Sequence, residues 1–272
     1  MHKLSCPKCH QKLTLHGNSY LCKSNHCYDI SKSKYVNLLL NPDKATNNPG
    51  DSKESLLARK SFLTKGYYNN IANTVIEMIN KYQNKDKDTI HILDVGCGEG
   101  FYTNKVKESL HTDACYYGLD ISKEAIHMAT KYTKEIHWIV GNSKNLPVED
   151  QSMDFILALF TVVNHEELKR ALHKDGYIIH VTANPRHLIE IKELIYDEVK
   201  IKSDKHIRLP FSVVNSFDFI EQIAINNHTD ALNLLKMTPH YYHIKKDKRS
   251  VIETIDNITV TVDIKITVYQ TF

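Results

Sequence analysis

At 272 residues, 42% of them hydrophobic, the chain is long enough to bury one large core and still carry a small satellite module. No run approaches the roughly 18 apolar residues of a membrane span and the N-terminus lacks the apolar segment of a signal peptide, so a helical membrane protein is excluded and the cytoplasm is the expected location. The net charge is only +3 but uneven: residues 1–60 hold ten Lys/Arg against four Asp/Glu, a net +6, and the remainder holds 25 against 28, a net −3. A basic module beside a near-neutral body suits a polyanion that is first gripped and then modified, although a solvated lysine-rich surface gives the same count.

Residues 1–34 are polar and rich in Cys, His and Lys, with too few large apolar residues for a core of their own. Their spacing, Cys6-x2-Cys9-x12-Cys22-x3-His26, is that of a small hairpin-based zinc site, in which thiolate and imidazole are the donors of a tetrahedral structural ion. Spacing alone allows the second pair to be Cys22 with His26 or Cys22 with Cys27. Residues 35–60 read as a linker, because Asn41-Pro42-Asp43 and Asn47-Asn48-Pro49-Gly50-Asp51 are turn signals.

The main domain is expected over 61–272, led in by helical spacing across 53–82 that is interrupted at Gly66. Strands follow at Ile90 to Val95, Cys115 to Asp120, Ile136 to Val140, Met153 to Phe160 and Gly176 to Thr182, with a helix over Ser122 to Tyr132 capped by Ser122. Ile258 to Tyr269 alternates Val260, Val262, Ile264, Ile266 and Val268 inward as a long final strand. Strand and helix units of this length predict an α/β fold, a Rossmann-like parallel sheet with helices on both faces, preceded by the zinc-binding module.

The run Asp94-Val95-Gly96-Cys97-Gly98-Glu99-Gly100 follows the first strand and opens a helix, where such a sheet binds a nucleotide-like ligand. Phe101 stands where the dinucleotide fingerprint needs its last glycine, so the loop fits S-adenosylmethionine better than NAD. Asp94 is placed to orient the loop or to meet the cofactor's ammonium group. Asp120, ending the second strand, can accept the ribose hydroxyls, and Asn142 and Ser143 after the third strand can reach an adenine edge.

Six segments occur together and in order: Cys6-Pro7-x-Cys9, Asn18-Ser19-Tyr20, Gly50-Asp51-Ser52, DVGCGEGFYT from Asp94 to Thr103, Gly118-Leu119-Asp120-Ile121-Ser122-Lys123, and Pro185-Arg186-His187-Leu188. On these the chain resembles the RlmA family of large-subunit rRNA guanine-N1 methyltransferases, from Cys6 to Gln270. The resemblance implies a class I methyltransferase sheet and zinc ligands at Cys6, Cys9, Cys22 and His26. It further implies cofactor contacts at Tyr68, at the Gly98-Glu99 turn and at His187, and large-subunit ribosomal RNA as partner, with a homodimer left open. One departure stands out: Phe160-Thr161-Val162-Val163 lacks the proline that follows the family's aromatic residue where the target base enters. Tyr67, Tyr102 and Phe160 are candidates to stack on that base, and no general base is identifiable. The departure keeps two alternatives in view, a methyltransferase for another RNA and a zinc-dependent RNA-binding protein that has lost methyl transfer.

Overall fold

In the computed structural model of the protein, which describes residues 2–40, 50–199, 201, 209–245, 248 and 254–271, three short strands come first. β1 (Thr14–His16), β2 (Ser19–Leu21) and β3 (Cys27–Asp29) form an antiparallel sheet in that order. Gly17, at φ 61°, supplies the left-handed residue of the tight β1–β2 turn. β4 (Tyr35–Asn37) then leaves the module.

The main domain supplies β5 (Ile90–Val95), β6 (Ala114–Asp120), β7 (His137–Val140), β8 (Met153–Leu159), β9 (Leu172–Ala183), β10 (Ser212–Ile225) and β11 (Ile258–Gln270). With β4 they build an eight-stranded sheet in the order β10-β11-β9-β8-β5-β6-β7-β4. Pairing is parallel from β4 through to β9, whereas β11 runs antiparallel to both β9 and β10. The parallel sheet expected from the strand–helix alternation is therefore mixed at one end, because β10 and β11 pair as a long antiparallel ladder instead of crossing over. The strand order reverses around β5, and a cleft opens there beyond the carboxyl ends of β5, β6 and β8.

Helices form across 53–82, after the glycine loop and after Ser122, where the sequence predicts them. α1 (Lys53–Thr64) and α2 (Asn69–Tyr82) are broken at Gly66, φ 90°, and α2 buries Ile71, Ala72, Val75, Ile76 and Ile79. α3 (Phe101–Ser109) follows the glycine loop, and α4 (Lys123–Ala129) is capped by the Ser122 hydroxyl accepting from the Ala125 amide at 3.2 Å. α5 (His165–Ala171), α6 (Ile189–Ile195) and α7 (His228–Lys236) complete the set, followed by a 3-10 turn at Pro239–His243. All five predicted inward residues of β11, Val260 to Val268, are fully buried.

The two faces of the sheet are covered differently. One carries α2, α3, α4, α6 and α7 over Ile92, Phe155 and Leu157. On the other, α5 shares the cover with the zinc module: Leu4 and Leu13, both 0% exposed, and Tyr20 join one buried cluster with Leu93, Tyr117, Ile139 and Val148. The Lys3 amide donates to the Tyr117 hydroxyl (3.0 Å), Asn145 Nδ2 donates to the Pro7 carbonyl (3.0 Å), and Lys12 pairs with Glu149 (3.1 Å). The module thus has a core, but one borrowed from the sheet, at about 1.5–3 kcal/mol per buried large apolar side chain. The stretch expected as a linker contains β4, paired with β7 at the sheet edge through Tyr35 and Val36, and the start of α1. The turn signals from Asn41 to Pro49 lie outside the described residues.

Candidate cofactor and metal sites

Two turns bring the metal donors together. In the first, the Cys6 carbonyl accepts from the His10 amide (2.8 Å) and His10 is left-handed; in the second, the Cys22 carbonyl accepts from the Asn25 amide (2.9 Å) and Asn25 is left-handed. One ligand atom from each of Cys6, Cys9, Cys22 and His26 lies within 4.8 Å of the others. Cys9 Sγ and Cys22 Sγ are 3.6 Å apart, and His26 Nδ1 is 3.4 Å from both Cys6 Sγ and Cys22 Sγ. Zn–S bonds of about 2.3 Å in a tetrahedron space sulfurs roughly 3.8 Å apart, so this donor set fits zinc. Burial pushes the Cys6 thiol up, but hydrogen bonds from the Tyr28 hydroxyl and the local backbone outweigh it and hold the thiol at about 6, already favouring thiolate. Cys27 is exposed and outside the cluster, which separates the two pairings that spacing left open.

The cleft at the switch point is a cavity of about 760 Å³, lined by Tyr68, Gly96, Gly98, Glu99, Asp120, Asn142, Ser143 and His187 among others. Gly98, at φ 57°, keeps the loop open on the cavity side. Asp120 Oδ2 accepts from the Gly98 amide (3.0 Å) and Oδ1 from the Ser122 amide (2.7 Å), so one carboxylate ties the glycine loop to the end of β6. Asn142 Oδ1 accepts from the Lys144 amide (3.0 Å) and holds the third loop. Three buried polar atoms at the cavity, Tyr68 Oη, Glu99 Oε1 and Tyr102 Oη, have no hydrogen-bond partner among the described residues. Buried polar atoms are rarely left so, and three together match a ligand with an amino-acid end as S-adenosylmethionine has.

Two residues expected at the cofactor, Asp94 and Gly100, do not line the cavity. Asp94 is 2% exposed, accepts from Thr103 Oγ1 at 2.6 Å and braces the loop from beneath. Gly100, at φ 88°, is a packing glycine, since a Cβ there would stand 2.6 Å from the Trp138 ring. Burial pushes Asp94 up to about 7 against the Thr103 hydrogen bond. The folded state then keeps a proton that the unfolded chain releases near pH 4, and the stability this contributes is lost as pH rises through about 7. Asp94→Asn should accordingly gain on the wild type between pH 5 and pH 8 in urea melts; a pH-independent difference would mean that Asp94 is ionised throughout.

At the mouth of the cavity, Phe160 follows β8 in the left-handed region, φ 55°, 40% exposed. A bulky residue held there stores strain of about 1–3 kcal/mol, a pattern concentrated at functional sites. Its ring lies 6.0 Å from that of His187 and 6.5 Å from that of Tyr102. Burial pulls His187 down to about 4, and its Nδ1 accepts from the Asp263 amide (3.3 Å), so the ring is neutral with its proton on Nε2: a donor, not a base. Tyr67 is not a stacking candidate, because its hydroxyl donates to Asp230 (2.9 Å) and its ring stacks on Phe62 at 4.5 Å. Arg59, Lys192 and His240 also line the cavity and carry no motif that spacing would reveal.

Comparison with known proteins follows the same division. Residues 4–45 match the family description "RlmA, N-terminal", a zinc ribbon, and residues 92–176 match "Methyltransferase domain". YxjB of Bacillus subtilis, provisionally named a 23S rRNA (guanine-N(1)-)-methyltransferase, is 27% identical over 96% of this chain and 94% of its own. The 23S rRNA (guanine(748)-N(1))-methyltransferase of Streptomyces fradiae is 24% identical over 97% of this chain and 95% of its own.

Proposed function

We propose, from the premise that this chain belongs to the RlmA family, a zinc ribbon joined to a methyltransferase domain, that it transfers a methyl group from S-adenosylmethionine to N1 of a guanine in large-subunit (23S) ribosomal RNA. The observation that carries this reading is similarity to such enzymes along nearly the whole chain, ribbon included, since the cofactor loop alone is common to many methyltransferases. When bound, the cofactor supplies a sulfonium methyl that is already strongly electrophilic, which leaves the protein mainly to align the target and exclude water.

Guanine N1 lies on the Watson–Crick edge, so the base must be unpaired or flipped to reach the cavity. Phe160, exposed and in the left-handed region, offers the face on which that base stacks, and the Nε2 proton of His187 beside it offers a hydrogen bond to an acceptor on the base or the cofactor. Thr161, within the stretch where the family carries proline, packs against Gly96 and links the base-side segment to the glycine loop. In the ribbon, Lys8, Lys23, Lys32 and Lys34 are exposed and make no ion pair among the described residues, leaving them available to phosphates. No helix of the described residues is long and apolar enough to cross a membrane, and the cytoplasm is where this substrate is met.

Phe160→Ala tests the base-side assignment. Loss of one stacking face costs about 1–3 kcal/mol, roughly 5- to 150-fold, and should appear in kcat/KM for rRNA while S-adenosylhomocysteine affinity stays unchanged. An undiminished kcat/KM would remove Phe160 from the base site.

A further inference from the structure

Arg59 lies in the middle of α1 and reaches the cavity opposite the glycine loop. Its Nη2 is held on two sides, by the Asp51 carboxylate at 2.5 Å and by the Met237 carbonyl, to which it donates at 3.3 Å. These anchors fix the plane of the guanidinium. Its Nη1 makes no hydrogen bond among the described residues and stands 3.5 Å from the place a Cβ on Gly98 would occupy. A rigid, partly buried cation with a free edge thus faces the one loop glycine that leaves space open.

The groups around it define what fills that space. Glu99 Oε1 is buried without a partner among the described residues, as are the Tyr68 and Tyr102 hydroxyls, so the same cavity offers a carboxylate with one oxygen unpaired and its charge partly offset by Arg59, two hydroxyls and a guanidinium edge. A zwitterionic amino acid satisfies both signs at once: its ammonium suits an acceptor such as Glu99, and its carboxylate suits the planar fork of an arginine. Lys192, the other lysine or arginine lining the cavity, already donates to the Pro185 carbonyl at 3.0 Å. We infer that Arg59 receives the carboxylate of the cofactor's methionine moiety, so that α1, which lies outside the matched methyltransferase region of residues 92–176, completes the cofactor site. This rests on the reading that the cavity takes S-adenosylmethionine.

Calorimetry on the full-length chain with S-adenosylmethionine and its decarboxylated analogue tests it. Wild type should bind the decarboxylated ligand about 10- to 100-fold more weakly, the range for a charge-assisted hydrogen bond, and in Arg59→Met that discrimination should fall to within about threefold. Arg59→Lys, which keeps the charge and loses the fork, should discriminate at an intermediate level and serves if the Met variant does not fold. The assignment is overturned if wild type binds both ligands equally, or if Arg59→Met still discriminates as strongly as wild type while both affinities fall together, the mark of a purely structural arginine. Wild type binding neither ligand would instead overturn the cofactor reading on which this one stands.

Discussion

Cys9→Ala is expected to release the metal and to lower the stability of the whole chain, not only that of residues 1–34. The four donors gather from two turns, and in small zinc modules metal binding and folding are one process. Here the module also covers a face of the main sheet, where Leu4 and Leu13 are fully buried with Leu93, Tyr117 and Ile139. Its unfolding exposes those residues at about 1.5–3 kcal/mol for each large side chain, so a loss of several kcal/mol is expected. At about 2–4 °C per kcal/mol for a chain of this order, the melting temperature should fall by roughly 10 °C. Cys27→Ser should retain one equivalent of zinc and the wild-type melting temperature, since Cys27 is exposed and outside the cluster. A Cys9→Ala protein that melts like wild type would show that the module folds independently of the sheet. Zinc lost from Cys27→Ser but kept in His26→Ala would reverse the ligand assignment. The same packing rules out deletion of residues 1–34 as a clean test of RNA grip, because it strips the cover from the sheet; charge reversal at the exposed Lys8, Lys23, Lys32 and Lys34 is the cleaner variant.

Asp120→Ala should reduce affinity for S-adenosylmethionine by about 100-fold or more. The carboxylate orders the loop through the amides of Gly98 and Ser122 while facing the cavity, so its removal costs the shape of the loop and, if Asp120 receives the ribose as proposed, the ribose hydrogen bonds as well. Two charge-assisted hydrogen bonds at about 1.5–3 kcal/mol each account for a change of that size. Titration calorimetry reads it directly. Affinity within threefold of wild type would move the ribose away from Asp120, and tight binding of NAD by the wild type would replace the cofactor altogether.

Much of this arrangement is legible in the sequence where local chemistry determines it. β5, β6, β7 and β8 lie within a residue or so of the apolar runs, because strands buried on both faces are nearly continuous in hydrophobic residues. The break at Gly66, the cap at Ser122 and the cysteine spacing are likewise local signals. β10 is not legible in the same way: its outer face is exposed, with Ile220 at 67%, and its identity as a strand depends on a ladder with β11 that is distant in sequence. The reversal of β11 and the docking of the zinc module on the sheet are tertiary choices that periodicity does not encode. Asp94 shows the same limit at the site. Position in the motif marks it as important, but only the fold reveals that Thr103 and the buried loop surround it, and that Arg59, with no motif of its own, faces the cavity instead.

If this chain methylates guanine N1 in large-subunit rRNA, nucleoside mass spectrometry reads the product itself. Unmodified 23S rRNA is incubated with the purified, zinc-loaded protein and S-adenosylmethionine, digested to nucleosides, and the methylated products are resolved by position of the methyl group. The product expected is 1-methylguanosine at close to one residue per rRNA molecule, lost in the Asp120→Ala protein. Methyl groups on another atom or another base, or an rRNA left unmodified by a protein that binds the cofactor, would contradict it.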